Sequence, residues 1–192
     1  MRARKGSRLR TVSAVAVLTM AAGLALSGAG YAAGGNVPKA MRGGLAEEVR
    51  HQLVMLPYYS VFDNLQYEVS GDGTVVLSGE VVRPTLKSDA ANVVRRIEGV
   101  EKVVDKIEVL PLSNFDDQIR IREYRAIFAS DSLYRYVLRA VPPIHIIVKN
   151  GHVTLAGVVA TEADRNVAGI IANTVPGVFS VANNLTVEKK VG

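Results

Sequence analysis

The sequence predicts an α+β protein built of two tandem α-β-β-α-β domains, each a small three-stranded sheet covered on one face by two helices. Three observations lead there: a gapless internal repeat, segments that switch between helical and strand periodicity in the same order twice, and turn residues at matching offsets. Residues 73–109 laid over residues 151–187, a shift of 78, agree at ten of 37 positions. The identities are Gly73/Gly151, Val75/Val153, Leu77/Leu155, Gly79/Gly157, Val81/Val159, Ala90/Ala168, Gly99/Gly177, Val100/Val178, Val103/Val181 and Val109/Val187. Most other positions keep their apolar or polar character.

Each copy opens with a helix. In the first, Leu45, Val49, Leu53 and Leu56 recur at helical spacing and Pro57 stops the run. In the second, Asp116 or Asp117 caps a helix running to about Ala129, with Ile121, Tyr124 and Phe128 on one face. A strand pair follows. Residues 144–149 and 152–160 flank Asn150-Gly151, a strong two-residue hairpin signal, whereas the first copy turns through Ser70, Gly71, Asp72 and Gly73. The second helix starts at Pro84 in one copy and behind Thr161, with Asp164 three residues later, in the other. Its buried stripes are Leu86, Ala90, Val93, Val94 and Ile97, and Val167, Ala168, Ile171, Ala172 and Val175. Gly99 and Gly177 are expected as the C′ residues of these helices. A last strand alternates over 103–109 and 181–187. Spacing alone leaves the strand order open.

The chain has 192 residues, with 23 basic and 18 acidic ones. Its net charge of +5 points at first to nucleic acid. That charge sits in a leader. Arg2, Arg4, Lys5, Arg8 and Arg10 precede an apolar run from Val12 to Leu26 and a small-residue stretch in which Gly30 and Ala32 fit a cleavage site. Residues 1–32 are therefore expected to be a secretory signal peptide, with an uncleaved inner-membrane anchor as the alternative. Without the leader, 18 basic and 18 acidic residues remain, so no nucleic-acid partner is expected. The expected organisation is a spacer at 33–44, domain 1 at 45–110, a linker at 111–114 and domain 2 at 115–189. The linker is short enough that the two domains are expected to touch.

Cysteine is absent, which excludes disulfides, thiolate metal sites and thiol catalysis. His145 and His152 flank the second hairpin without a third ligand, so no metal site is expected. No nucleophile–base pair, carboxylate pair or phosphate-binding glycine loop stands out, and neither an enzyme nor a cofactor is expected.

The strand motif Asp72-Gly73-Thr-Val-Val-Leu-Ser-Gly79-Glu-Val81, its counterpart from Asn150 to Val159, and the later run from Pro176 to Val187 together resemble the BON domain. This bacterial module is named for an osmotically inducible periplasmic protein and nodulation proteins. The first copy departs from the pattern, with Glu98 for Pro176 and Asp105-Lys106 for Asn183-Asn184. The resemblance implies a non-catalytic periplasmic protein of envelope maintenance or stress protection. Some members of the family bind anionic phospholipid and others act on unfolded outer-membrane clients.

Charge distribution directs attention to domain 2. Residues 33–112 carry 9 basic and 11 acidic side chains, and residues 113–192 carry 9 and 7. The candidate lipid- or partner-binding set is Arg120, Arg122, Tyr124, Arg125, Tyr134, Arg135, Tyr136 and Arg139, because arginine pairs with phosphate and tyrosine favours the membrane interface. The competing reading is a solvated face balanced by Asp116, Asp117, Glu123 and Asp131. A second class of function, a periplasmic chaperone-like or adaptor role binding other envelope proteins, would use the aromatic loop from Leu56 to Phe62 and exposed strand edges.

Overall fold

The computed structural model describes residues 39–139 and 141–188. The expected leader, the start of the spacer and Lys189 lie outside them. Among the described residues no helix is long and apolar enough to cross a membrane.

Domain 1 comprises α1 (Lys39–Val54), β1 (Asn64–Val69), β2 (Thr74–Val81), α2 (Pro84–Val94), β3 (Lys102–Asp105) and β4 (Glu108–Val109). Domain 2 comprises α3 (Asn114–Phe128), a single-turn α4 (Tyr134–Val137), β5 (Ile144–Lys149), β6 (His152–Val159), α5 (Glu162–Thr174) and β7 (Ser180–Val187). The order that spacing left open is now fixed. The second strand is central in each sheet, antiparallel to the first and parallel to the third. The parallel pairing needs the crossover that α2 and α5 supply.

Two apolar clusters fill the space between sheets and helices. One gathers Leu45, Val49, Leu53, Val75, Leu77, Val81, Leu86, Ala90 and Val94. The other gathers Ile119, Ile127, Ile144, Ile146, Val148, Leu155, Ala168, Ala172 and Leu185. The alternation Val75, Leu77, Val81 and Val153, Leu155, Val159 follows the two-residue period of a strand with one buried face.

Several boundaries differ from expectation. Helix α1 begins at Lys39 rather than Leu45, so the end of the expected spacer is helical. Helix α3 is capped by Ser113, whose hydroxyl accepts from the Asp116 amide at 3.2 Å. Asp116 itself turns inward and accepts from the amides of Asn150 and Gly151 at 2.9 and 2.8 Å, so it supports the hairpin turn instead. Gly99 and Gly177 are not C′ residues. Both have positive φ in β-turns that follow the helices, closed by the Val100 amide on the Ile97 carbonyl and the Val178 amide on the Val175 carbonyl. The third strand of domain 1 is broken. The Ile107 amide bonds the Asp105 side chain at 2.9 Å and Ile107 drops into the core, which leaves β3 and β4 as separate pieces.

Gly79 and Gly157 are explained by backbone crowding. Their φ values are +102° and +118°, and a Cβ would collide with the carbonyl of Asn64 in β1 at the first and of Pro143, just before β5, at the second. Only glycine permits both the conformation and the approach. Gly157→Ala should therefore destabilise the fold by about 3 kcal/mol. Gly43→Ala, at a helical position with open space around it, should stabilise by about 0.5 kcal/mol. Chemical denaturation of both variants measures the contrast.

Candidate functional site

The aromatic loop offered as an interaction surface is instead the joint between the domains. Asp63 is buried and its carboxylate accepts from the Ser60 amide and hydroxyl at 3.0 and 2.6 Å and from the Val82 amide at 2.8 Å. This holds the loop in one shape. Val61 enters the core of domain 2, and its carbonyl accepts from the Ile146 amide at 2.7 Å, covering part of the β5 edge. Phe62 meets Tyr124 edge-on at 6.2 Å, and Tyr59 lies 5.6 Å from His145. Burial pushes the Tyr59 hydroxyl up to about 12 and holds His145 below its usual range. Lys149 of β5 pairs with Glu108 of β4 across the joint. Of the loop's tyrosines, Tyr58 points outward, with Arg83 over its ring at 4.8 Å.

Helix α3 carries half of the candidate set, and its faces differ from the expected ones. The inward stripe is Asp116, Ile119, Arg120, Glu123 and Ile127, so Ile121 is exposed although it is apolar. Arg120 is buried. It pairs with Asp117 and donates to the Val148 carbonyl at 2.6 Å, which ties the helix to the end of β5. Tyr124 is half-buried between Phe62 and Phe128. Tyr136 is buried too; its hydroxyl donates to Asp164 at 2.9 Å and accepts from the Ala160 amide at 2.8 Å. Arg120, Tyr124 and Tyr136 are thus structural in position and cannot meet a flat external surface.

Arg122, Arg125, Tyr134, Arg135 and Arg139 remain outside. Arg122 reaches the Pro176 carbonyl at 3.1 Å and Gln118 at 3.0 Å, which sets it beside the Gly177 turn. Arg135 packs on the Tyr136 ring and pairs with Asp164. Although burial works against its ionisation, Asp164 stays below the usual carboxylate range through bonds from Thr161, Tyr136 and Arg135. The expected capping box is therefore half realised: Thr161 caps the Asp164 amide, while the Asp164 carboxylate serves this side-chain network.

Sequence reasoning missed an apolar cluster at the other end of α3. Phe115 and Phe179 are exposed with ring centroids 5.9 Å apart, and His152 flanks Phe179 at 5.9 Å. Leu112 is 96% exposed and Phe179 68%. Arg122 lies close by, since a Cβ on Gly177 would sit 3.6 Å from both Arg122 and Phe115. One signal was available in the repeat: Phe179 occupies the position where domain 1 has Glu101.

His152 bonds the Ser180 hydroxyl at 2.7 Å while His145 lies under Tyr59, so the two histidines do not converge. Among the described residues no group of three metal-ligating side chains forms a cluster.

The fold is a tandem of two small α+β units. Comparison with known families places it. The BON domain family matches at residues 43–111 and again at 130–189, and the chain belongs to that family. No curated protein matches the chain. Two solved structures of CdsD, a structural protein of the type III secretion system of Chlamydia trachomatis, are similar to it. The C-terminal domain of CdsD shows 13% identity over 76% of this chain and 98% of that one, with a TM-score of 0.29. The second shows 14% identity over 77% and 94%, with a TM-score of 0.27.

Glu123 is fully buried in domain 2, and neither of its oxygens has a hydrogen-bond partner. Burial pushes its carboxyl up to about 7 from its ordinary value of 4.5. Between those values the native state keeps a proton that the unfolded chain has released. This contribution to stability is complete below the lower value and lost as pH rises through the upper one. Buried His145 works in the opposite sense, destabilising as pH falls. Comparing Glu123→Gln with wild type cancels the histidine. The variant should gain relative stability, on the order of 2 kcal/mol, between about pH 5 and about pH 8, measured by denaturation at each pH.

Proposed function

We propose that the protein is a non-catalytic binding protein of the cell envelope, exported to the periplasm, whose second domain rests on an anionic phospholipid surface. The observation that carries this reading is the exposed Phe115–Phe179 pair beside Arg122. Ile121 and Arg125 are also exposed on α3. Phenylalanines of this kind insert at the boundary between headgroups and acyl chains, and the arginines pair with phosphate. Burying two such rings is worth about 4 kcal/mol, and each arginine near an anionic leaflet adds about 1 kcal/mol. That suffices for reversible association and falls far short of an integral anchor.

The surface is thus narrower than the arginine–tyrosine edge and shifted from it. Arg135 and Arg139 contribute charge at most, and Arg120 holds the helix in place. A second reading, binding of other envelope proteins by strand addition, has one observation in its favour. The outer edge of β7 has no backbone partner among the described residues, and its eight residues include neither proline nor lysine.

Flotation of residues 33–192 with anionic and with zwitterionic liposomes, each at low and high salt, tests the proposal. Binding is expected to anionic vesicles alone and to fade with salt. Replacing Phe115 and Phe179 with Ser, or Arg122 and Arg125 with Glu, should each remove it. Failure to float at low salt would sink the lipid reading, and crosslinking to a protein partner would then support the second.

A further inference from the structure

The faces of the two sheets turned away from their helices line a common cleft of about 480 Å³. From domain 1 come Asn64, Gln66, Ser78 and Glu80; from domain 2 come Thr154, Ala156, Asn184 and Thr186. Strand periodicity puts them there. Ser78 and Glu80 alternate with buried Leu77 and Val81, and register places Gln66 opposite Ser78 and Asn64 opposite Glu80. In domain 2, Thr154 and Ala156 alternate with Val153 and Leu155, and Asn184 stands opposite Ala156.

The chemistry of this lining is one-sided. It holds three carboxamides, three hydroxyls and one carboxylate, with no basic or aromatic side chain. Among the described residues, Asn64, Glu80 and Thr186 bond within the protein, Asn64 to Glu80 at 3.5 Å and Thr186 to the Gly157 carbonyl at 3.1 Å. Gln66, Ser78, Thr154 and Asn184 keep their donors and acceptors for whatever occupies the cleft.

The repeat does not account for these groups. Thr154 stands where domain 1 has Val76, and Asn184 and Thr186 stand where it has Lys106 and Glu108. Asn64 and Gln66 stand where domain 2 has Pro143 and His145. Each copy thus presents polar groups that the other lacks, and they meet across the cleft.

An anion would face Glu80 with no compensating cation. An apolar ligand would leave amides and hydroxyls unpaired at a cost of 1–3 kcal/mol each, roughly. A peptide taken up by strand addition needs an edge, and these walls are sheet faces. A sugar ring fits all three constraints. It is neutral, and each of its hydroxyls both donates and accepts, as carboxamides and hydroxyls also do. The volume is within the range of small-ligand sites. We propose that this interdomain cleft, lined by Asn64, Gln66, Ser78, Glu80, Thr154 and Asn184, binds a short neutral oligosaccharide.

The test follows the amide spectrum of the full, ¹⁵N-labelled chain while four probes are titrated separately: cellotriose, the trimer of N-acetylglucosamine, an uncharged pentapeptide and inorganic phosphate. Saturable shifts centred on Gln66, Ser78, Thr154 and Asn184 with at least one of the two sugars are expected. Thr154→Val, which installs the residue of the other copy without changing shape, and Asn184→Ala should each weaken that binding about tenfold. The same spectra report whether each variant is folded. Flotation on anionic liposomes should be unchanged in both, which separates this site from the Phe115–Phe179 surface. The proposal is overturned if neither sugar gives saturable shifts there, if only the pentapeptide or phosphate does, or if folded variants bind the sugar as wild type does.

Discussion

The insertion of Val61 into the core of domain 2 is the contact on which the arrangement of the whole molecule depends. A short linker keeps the copies near each other, but nearness alone would leave them free to reorient. The Val61 carbonyl on the Ile146 amide, the Phe62–Tyr124 contact and the buried Asp63 carboxylate convert nearness into a fixed relation. The interdomain cleft inherits its geometry from it. A domain of about 60 residues buries only about 60% of its extended-chain surface, so lending a side chain to its neighbour's core also offsets a weakness of size.

Helix α3 shows a different economy. Its inward face carries Asp116, Arg120 and Glu123 among isoleucines, and two of the three bond to backbone groups of the β5–β6 hairpin. A helix held by polar bonds to strand ends can leave apolar residues outside, as Phe115 and Ile121 are. The exposed patch and the buried charges are therefore two sides of one choice, and Glu123 is the member left without a partner.

This inversion explains what could and could not be read from the residues. The duplicated domains, the hairpins and the helix–sheet layering were legible because alternating valines and leucines, Asn150-Gly151 and the repeat spacing all depend on local chemistry. The face of α3 was not legible. Apolar periodicity assigned Ile121 inward and Arg120 outward, while the bonds of Arg120 to Val148 and of Asp116 to Asn150 and Gly151 turned a different stripe inward. Of the candidate set, Arg120, Tyr124 and Tyr136 were misplaced for the same reason: each is fixed by a partner between 24 and 62 residues away in the chain. The cleft escaped notice because its two walls come from different copies, and a repeat draws attention to what the copies share. The small departures at Asp105-Lys106 and at Phe179, noted or overlooked as irregularities, mark where the domains have specialised.

The broken third strand of domain 1 bears on self-association. Two copies of one fold on one chain risk pairing edge to edge with those of another molecule, and regular third strands on both would let that pairing continue from molecule to molecule. The kink at Asp105, with Ile107 drawn into the core and Lys87 paired to Asp105, removes one of those edges. With only β7 open among the third strands of the described residues, pairing of that edge about a twofold axis uses it up on both molecules and closes on itself rather than growing into a fibre.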